Sequence, residues 1–386
     1  MVVRFRLSFE YLIFASFILG LISGWIVGVD VRLLSIISEV FLGFLLTFAP
    51  VIVFVVVFSS AYRILNVRVG AFRLVFEAVL IFVALMFVSS ICTSMLIPFL
   101  LGRLSEGAVG LHVPQVRILL NPVLLSVFTA LFLSYLFNRH FRLPVVDLIV
   151  ERISVGVGAL FRALTYLMPL IIYSLAFRLY FRLGLTSSVA FCLIAVILVL
   201  AVCLPFLLLP LTFIALRVAG VGLKLVLKYL ARALFLGLFI GSSYLILPIH
   251  VRIVREELGV KPEVGDLIVT LGAMLNRCGS IAGLVISTLI AMHIMNLRAP
   301  IGAFLILSLL IPLIGIGSPG IHGGTMMACL PVIIELLSPH DVSAFTSLAF
   351  TFFAGAATFS NAAINTATTG LTAIIVNRKF ESHRSG

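Results

Sequence analysis

The sequence predicts an all-α polytopic membrane protein, and three observations predict it. Hydrophobic residues make up 62% of the 386 residues and charged residues only 10%, whereas soluble domains carry about 25% charged residues. Several runs near or above 20 residues are nearly free of charge, as in 11–29, 185–216 and 301–334. Basic residues stand mostly at the ends of such runs, where they meet anionic lipid headgroups. Helices are expected because they satisfy their own backbone hydrogen bonds in lipid.

The composition also argues against other classes of protein. The net charge of +12 is spread over the ends of apolar runs and is not gathered on a soluble domain, so we expect no nucleic-acid partner. No catalytic triad, zinc-ligand spacing or phosphate-binding loop occurs in the sequence. We therefore expect neither an enzyme nor a bound cofactor or metal. The cysteines lie in apolar segments without CxxC spacing and are expected to be buried thiols: Cys92, Cys192, Cys203, Cys278 and Cys329.

The elements before residue 224 are predicted as apolar spans joined by mostly short turns. The first run has no clear cleavage site, so we interpret it as a membrane helix and not as a removed signal peptide. The polar insert 102–117 is expected to lie outside the membrane. The predicted spans cover residues 10–29, 33–62, 72–101, 117–138, 146–176 and 186–216.

From residue 224 onwards the pattern predicts re-entrant hairpins. Residues 224–259 begin and end with basic residues and are interrupted by "GSSYLILP". A continuous helix would place basic clusters on both sides of the membrane, so we expect the chain to turn back near 241–243, with both clusters in the cytoplasm. Residues 299–336 repeat the pattern, with "GIGSPGIHGG" in the middle.

Each predicted hairpin is followed by a long helix with polar residues at its centre. Residues 264–296 contain "NRCGS", and residues 343–378 contain "TFSNAAINTATTG". Two units of a hairpin and a broken helix indicate a transporter built on inverted repeats, with its substrate site near the membrane midplane. Irregular backbone at that depth is tolerated only where it is buried in protein or lines a cavity.

Four of these motifs resemble elements of the glutamate transporter family, also called the dicarboxylate/amino acid:cation symporters. "SSYLILP", "LGAMLNRCGS", "IGSPGIHGG" and "TFSNAAINTATTG" are similar, in this order, to the first hairpin's serine motif, the NMDGT helix, the second hairpin tip and the last helix. The resemblance is specific from about residue 224 and covers the rest of the chain in outline. It implies eight transmembrane helices plus two re-entrant helical hairpins, arranged as inverted repeats.

The resemblance also implies an assembly. Members of the family are homotrimers in which a transport domain moves like an elevator against a scaffold, in contact with membrane lipid. Residues 1–223 would form mainly the scaffold and trimer contacts, with the third and sixth spans joining the transport domain. Residues 224–386 would form the transport-domain core: hairpin 1 at 224–259, span 7 at 264–296, hairpin 2 at 299–336 and span 8 at 343–378. The protein would lie in the plasma membrane with both termini in the cytoplasm.

Carried over residue by residue, the motifs imply a substrate site and a degenerate cation site. Substrate contacts fall on Ser242, Ser243, Arg277, Ser280, Ser318, Gly320, Ile321, Thr358 and Asn361. The cation-site positions are Gly272, Asn276, Cys278 and Asn365. The chain departs from the family at its charged positions. The Met and Asp of NMDGT become Arg277 and Cys278, and the sodium-binding Asp of the last helix becomes Asn365. In the family's last helix, an Asp holds the amino group of the substrate and an Arg holds its side-chain carboxylate. These two positions are Ala354 and Ala357 in this sequence.

These departures predict sodium-independent transport. Sodium needs several oxygen ligands, commonly with a carboxylate, and both expected carboxylates are absent. Arg277 would supply the positive charge of the coupling cation, and its five donors can grip a carboxylate. We therefore expect a small organic anion, or an amino acid held by its carboxylate. The alternatives are a sodium- or proton-coupled symporter, with Glu77 or His322 as proton sites, a channel-like anion conductance, and a membrane protein that has lost transport.

Individual polar residues also have structural interpretations. Arg277 could form an ion pair with Glu77, which lies about one turn in from the basic end of the third span. Thr358, Asn361 and Asn365 share a helix face through their i, i+3, i+7 spacing, and such residues also join helices in membranes. Glu39 is expected to be a helix-contact or interfacial residue more than a proton carrier, and His250 is assigned no function.

Overall fold

The computed structural model describes residues 9–29, 69–100, 144–240, 243–316 and 323–382, together with Ser318 and scattered positions within 31–58 and 125–137. All of the elements that these residues form are helices, which confirms the predicted helical class. The predicted second and fourth spans and the polar insert 102–117 lie largely or wholly outside the described residues, as do Glu39, Ser242, Gly320, Ile321 and His322.

The first part of the described chain contains long helices. They are α1 (Phe9–Val27), α2 (Val69–Leu100), α3 (Pro144–Cys203), a π-helical turn (Leu204–Leu208) and α4 (Leu209–Ala219). Gly184 interrupts α3 with φ 74° and ψ 168°, a conformation open to glycine because it has no Cβ. The turn predicted at 184–185 is therefore present as a break in the long helical run.

The second part consists of broken helix pairs. They are α5 (Leu223–Ile240) and α6 (Ser243–Glu256), α7 (Pro262–Leu275) and α8 (Cys278–Ile294), α9 (Ile301–Ile316) and α10 (Gly324–Leu337), and α11 (Val342–Phe352) and α12 (Thr358–Ser382), with a π-helical turn at Phe353–Ala357. The last pair is bent by 53°. Each pair begins and ends within a few residues of the segment predicted from the sequence.

An ion pair shows that α5 and α6 turn back on each other. Arg232 on α5 is paired with Glu257, at the end of α6, and Lys228 Nζ lies 3.9 Å from the same carboxylate. Arg232 and Glu257 are 25 positions apart, so a continuous helix would separate them by about 37 Å. Helices α5 and α6 therefore run back along each other.

By length and composition, three stretches among the described residues could cross a membrane: Val75–Leu96, Pro169–Ala219 and Val264–Ile294. The bent pair that ends in α12 makes a fourth if it is counted as one span. Pro169–Ala219 has 51 residues, more than twice the roughly 20 residues that one crossing needs. The predicted total of eight spans stays a prediction.

The break between α7 and α8 lies in the interior of the protein. In its most apolar window, Val264–Ile294 is 83% buried, against 39% for Val75–Leu96 and 33% for Pro169–Ala219. Helix α12 packs against α4, α5, α7 and α8. A helix that is apolar on all sides is expected to be buried, and α8 meets that expectation. The backbone between α7 and α8 is therefore surrounded by protein.

Candidate functional site

The centre of the candidate site is the break between α7 and α8. Helix α7 closes with a bond from Asn276 N to Gly272 O at 3.0 Å, and α8 opens with one from Ile281 N to Arg277 O at 2.8 Å. Between them the backbone leaves the helical conformation, with Asn276 at φ −74°, ψ 106° and Arg277 at φ −118°, ψ 16°. The first N–H groups of α8 need partners from outside the helix.

Asn365 on α12 caps this helix start. Its Oδ1 accepts a hydrogen bond from Gly279 N at 2.8 Å, and its Nδ2 donates to Ser280 Oγ at 3.1 Å. The Asn276 side chain adds a contact from its Oδ1 to Cys278 N at 3.4 Å. A side-chain amide therefore caps the N-terminal end of α8.

Asn276 joins the break to α12 from the other side. Its Nδ2 lies 2.7 Å from Thr368 Oγ1, 3.0 Å from Thr369 Oγ1 and 3.1 Å from the carbonyl oxygen of Asn365. Both threonine hydroxyls donate to backbone carbonyls of their own helix, which leaves their lone pairs to accept from Asn276. The buried amide therefore holds the break at a defined place along α12.

The four positions that the sequence predicts as a degenerate cation site lie in or beside this network: Gly272, Asn276, Cys278 and Asn365. Cys278 Sγ lies 3.4 Å from Thr368 Oγ1 and 3.7 Å from Asn365 Oδ1. A Cβ at Gly272 would overlap the side chain of Thr369, so the glycine permits the close approach of α7 to α12. Within the described residues, the polar atoms at these positions are hydrogen-bonded to each other and to threonines, without a carboxylate.

Arg277 is buried inside the protein, with 4% of its surface exposed. Its Nη2 donates to Met274 O at 2.9 Å across the end of α7. The guanidinium therefore stays at the helix break and does not extend to lipid or to the aqueous phase. Burying a charged side chain costs several kcal/mol unless counter-charge and hydrogen bonds offset it (roughly 3–5 when one partner of a buried pair is missing).

Asn361 lies one turn after the start of α12 and has unfulfilled hydrogen-bonding capacity. It is 2% exposed, and within the described part of the chain neither its Oδ1 nor its Nδ2 has a hydrogen-bond partner. Its amide rests against Gly283 of α8, where a Cβ would overlap it. An unsatisfied buried amide costs about 1–3 kcal/mol. A ligand that supplied a donor and an acceptor would remove that cost.

Three further predicted substrate residues lie at or close to the ends of helices: Thr358, Ser318 and Ser243. Thr358 is buried and donates to Phe353 O at 2.9 Å across the π-helical turn. Ser318 is buried, donates to Gly315 O at 2.8 Å and lies 3.1 Å from Thr325 Oγ1, so it links α9 to α10. Ser243 begins α6. The hydrogen bonds of the α7–α8 break reach Ser280 but, among the described residues, reach neither Ser243 nor Ser318.

Glu77 forms an ion pair with Lys379, whereas the sequence suggested Arg277 as its partner. Its Oε2 lies 3.8 Å from Lys379 Nζ, in the last turn of α12. Lys379 is 14 residues beyond Asn365, or about 20 Å along the helix axis, and Asn365 caps the helix that follows Arg277. The geometry therefore favours Lys379 as a partner of Glu77, and a pair of Glu77 with Arg277 stays a prediction.

Three polar residues of the site were not singled out in the sequence. Thr368 and Thr369 accept from Asn276, and Ser89 on α2 donates to Cys278 O at 2.7 Å. The available signals were the run "NTATTG", which places hydroxyls three and four residues after Asn365, and the "SS" within an apolar span. Both signals are also common in helix-packing faces.

Comparisons with known proteins agree on one family. Residues 115–379 match a family described as the sodium:dicarboxylate symporter family. The chain is 24% identical over 351 residues to the serine/threonine transporter SstT of Acinetobacter baumannii (strain AYE), with 86% of each chain covered. It is 28% identical over 127 residues to the serine/threonine transporter SstT of Streptococcus suis (strain 05ZYH33), which covers 33% of this chain and 31% of that protein.

Proposed function

The chain belongs to the sodium:dicarboxylate symporter family, and from that premise we propose that it transports a small carboxylate-bearing solute without sodium. Family membership supports an integral membrane protein that acts as a secondary transporter of amino acids or dicarboxylates and not as an enzyme. In the proposed mechanism, Arg277 takes the place of the coupling cation. The solute carboxylate binds at the α7–α8 break, and a transport domain carries it across the membrane as an elevator.

The buried position of Arg277 in the helix break is the observation that carries this proposal. A guanidinium brings a permanent positive charge to a part of the protein that is shielded from water, where charge interactions are strong. Its planar donors match a carboxylate in two parallel hydrogen bonds. A solute carboxylate would offset the cost of burying this charge, which would account for an arginine that is 4% exposed.

The hydrogen bonds around Asn365 support independence from sodium. A sodium ion needs several oxygen ligands, usually with a carboxylate among them. Here the Asn365 oxygen accepts from Gly279 N, and Cys278 contributes a thiol near Thr368. A cation would have to displace protein hydrogen bonds and would gain no negative charge, so we expect weak sodium binding.

Asn361 supports a ligand-facing role for the start of α12. Its buried amide offers one acceptor and two donors, and the named relatives are serine/threonine transporters. A solute of the size of serine or threonine that carries a hydroxyl group could form hydrogen bonds with Asn361 and Ser280. Thr358 would line the same face, because it lies three residues before Asn361 on α12.

The proposed architecture keeps the predicted domains. Residues 1–223 form mainly the scaffold of a homotrimer, with spans 3 and 6 in the transport domain, and residues 224–386 form the transport-domain core. The reversal of the chain between α5 and α6 supports a first re-entrant hairpin, and the contacts of α12 with α5, α7 and α8 support a single core. Ser242, Ser243, Ser318, Gly320 and Ile321 would close the site from the two hairpins. The protein lies in the plasma membrane with both termini in the cytoplasm.

The test is solute uptake by purified protein in proteoliposomes, with sodium replaced by choline. We expect saturable uptake that exchanges with internal solute and does not change when sodium is added. A non-saturating current would support an anion conductance instead. A requirement for sodium would contradict the sodium independence.

Arg277→Met tests the site itself. Removing one partner of a buried charge pair costs about 2–5 kcal/mol, so solute affinity should fall by about 30-fold or more, with no rescue by sodium. Arg277→Lys is the matched control, because it keeps the charge but loses the planar pair of donors. We expect it to retain more affinity than Arg277→Met. Unchanged affinity in Arg277→Met would contradict the site assignment.

A further inference from the structure

An open groove lies between the paired helices α5 and α6. Its volume of about 630 Å³ falls in the range of about 300–1,000 Å³ that is usual for small-molecule sites. The charged side chains that line it are Arg232, Arg252, Glu256 and Glu257, and the apolar ones include Phe235 and Ile249. None of these residues takes part in the hydrogen bonds of the α7–α8 break, so the groove is a separate feature of the protein.

The charged and apolar linings of the groove follow one another along the helix axes. On α5, Arg232 precedes Phe235 by three residues, or about 4.5 Å along the helix. Helix α6 runs in the opposite direction, since Glu257 at its end is paired with Arg232, and Ile249 lies further along the groove towards Phe235. One end of the groove is therefore charged and the other is apolar. A phospholipid has the same order, with a charged headgroup followed by acyl chains.

The charged end has more cations than carboxylates. Three exposed cations recur at every fourth residue of α5 and form one row on its surface: Lys224, Lys228 and Arg232. Within the described residues, the carboxylate that this row contacts is Glu257, which is paired with Arg232 and lies 3.9 Å from Lys228 Nζ. On the other wall, Arg252 and Glu256 pair with each other at 2.9 Å. The row therefore keeps positive charge that can attract a phosphate group.

Exposed apolar side chains accompany the row of cations. Leu223, Leu227 and Phe235 of α5 are 55%, 53% and 59% exposed, and Ile249 of α6 is 46% exposed. Leu223 and Leu227 each stand next to a lysine of the row. A helix surface with cations beside exposed apolar side chains is typical of the boundary between lipid headgroups and acyl chains. The surroundings that suit this surface are therefore those of a lipid molecule.

We propose that the groove binds one anionic phospholipid of the surrounding membrane. Its phosphate lies on the row formed by Lys224, Lys228 and Arg232, and its acyl chains begin along Phe235 and Ile249. Charge complementarity selects this occupant, because a zwitterionic lipid brings its own cation and is attracted less. Two copies of the chain meeting here about a twofold axis would bring their basic rows together, which is unfavourable. The inference does not depend on the identity of the transported solute.

The experiment measures the lipid that stays bound to the purified full chain. The protein is incubated in detergent with equal amounts of dioleoyl phosphatidylglycerol and dioleoyl phosphatidylcholine, which have the same acyl chains, and is then washed. Native mass spectrometry counts the retained lipids. One cation near an anionic lipid contributes about a factor of five to binding, so we expect phosphatidylglycerol to be retained at least about fivefold more than phosphatidylcholine. Equal retention of the two lipids would overturn the proposal.

A pair of matched variants tests the charged end. Arg232 and Arg255 each pair with a carboxylate, and their side chains are 49% and 42% exposed, but Arg255 is not among the residues that line the groove. Arg232→Gln should lower the retention of phosphatidylglycerol by about fivefold, and Arg255→Gln by less than about twofold. Equal losses in the two variants would show a diffuse attraction to the basic surface and would contradict a defined site.

A second pair of variants tests the groove without any change of charge. Ala231 is exposed and lines the groove, so the ring in Ala231→Phe would occupy the space of an acyl chain. Leu227→Phe is the control, since Leu227 is exposed one turn earlier on α5 and does not line the groove. We expect Ala231→Phe to lower the retention of phosphatidylglycerol by about fivefold or more and Leu227→Phe to leave it unchanged. Both positions are on the surface, where substitutions usually leave the fold intact. Normal retention in Ala231→Phe would place the lipid elsewhere and overturn the proposal.

Discussion

Asn276 Nδ2 donates to Thr368 Oγ1 across the interface of α7 and α12 at 2.7 Å. Asn365 Oδ1, one turn earlier on α12, accepts from Gly279 N at 2.8 Å. The two asparagines therefore hold the two ends of the helix break with neutral hydrogen bonds. Within the described residues, the break therefore keeps its shape through hydrogen bonds between protein groups.

The first prediction concerns the donor at Asn276. Asn276→Ala leaves the Asn365 carbonyl and two threonine lone pairs without that donor, so we expect a loss of about 1–3 kcal/mol in the free energy of unfolding. Thermal unfolding in detergent measures it. Thr372→Ala is the control, because the Thr372 hydroxyl is buried but donates only to Thr368 O within its own helix. Equal losses in both variants would show that Asn276 has no special role in joining the helices.

The second prediction concerns the close contact of Gly283 with Asn361. A Cβ at Gly283 would overlap the Asn361 amide, and overpacking of a buried site costs about 1–3 kcal/mol. We expect Gly283→Ala to lower the unfolding temperature and to weaken solute binding, because the displaced amide no longer meets the ligand.

Gly302→Ala is the matched control for this contact. Gly302 also lies in a helix, but a Cβ there meets no atom within 4 Å. Alanine is favoured over glycine inside helices by up to about 1 kcal/mol, so this variant should unfold at the same or a slightly higher temperature. A Gly283→Ala protein that binds solute normally would remove Asn361 from the site.

The third prediction concerns a variant that restores the two carboxylates found in the family. Cys278→Asp combined with Asn365→Asp and Arg277→Met should bind sodium, since two carboxylates then stand beside the oxygen-rich face of α12. At a sodium concentration 100 times the dissociation constant, the stabilisation would be about 2.7 kcal/mol. The measurement is the unfolding temperature in sodium chloride against choline chloride.

The matched control for that variant carries no added charge. Cys278→Asn with Arg277→Met supplies amide oxygens at the same positions, and we expect no stabilisation by sodium. The native chain should respond to sodium and choline equally. Stabilisation of the native chain by sodium to the same extent as the triple variant would contradict the proposed independence from sodium.

The fourth prediction separates the two candidate partners of Glu77. The Glu77–Lys379 pair spans 3.8 Å, with side chains 18% and 50% exposed, and such pairs contribute about 0.2–1 kcal/mol. A double-mutant cycle of Glu77→Gln and Lys379→Gln should give a coupling energy of this size. Raising the salt concentration should reduce it, because exposed charges are screened.

A second cycle pairs Glu77→Gln with Arg277→Met. If Glu77 and Arg277 do not interact, their effects on the free energy of unfolding should add to within about 0.5 kcal/mol. A coupling energy well above 1 kcal/mol would instead support a structural ion pair for Arg277 and would weaken its assignment to the solute.

Much of the helical organisation could be predicted, because strong local signals mark it. Glycine, proline and polar residues interrupt apolar runs at "GSSYLILP", "NRCGS" and "GIGSPGIHGG", and the helices end at or beside each of these stretches. Such residues disfavour a continuous helix, so their position in the sequence indicates the break. The family, inferred from the same motifs, is confirmed by the match over residues 115–379.

The contacts within the site were harder to predict. Thr368 and Thr369 read in the sequence as ordinary helix-packing residues, and Ser89 lies 189 positions from Cys278, whose carbonyl it contacts. A serine or threonine in a membrane helix usually donates to its own backbone. Only the crossing of α2, α7, α8 and α12 decides which hydroxyls bond to another helix: Thr368 and Thr369 accept from Asn276, and Ser89 donates to Cys278 O.

By itself, the sequence determined the helical membrane class, the helix breaks and the formal charge of each residue, because hydropathy, backbone preference and formal charge belong to individual residues and their neighbours along the chain. The tertiary structure decided the partners: Asn276 with Thr368, Gly279 with Asn365, Glu77 with Lys379, and an Asn361 amide with no hydrogen-bond partner within the described residues. Hydrogen bonds and ion pairs act over a few ångströms, so they depend on helix positions that residues far apart in the sequence set together.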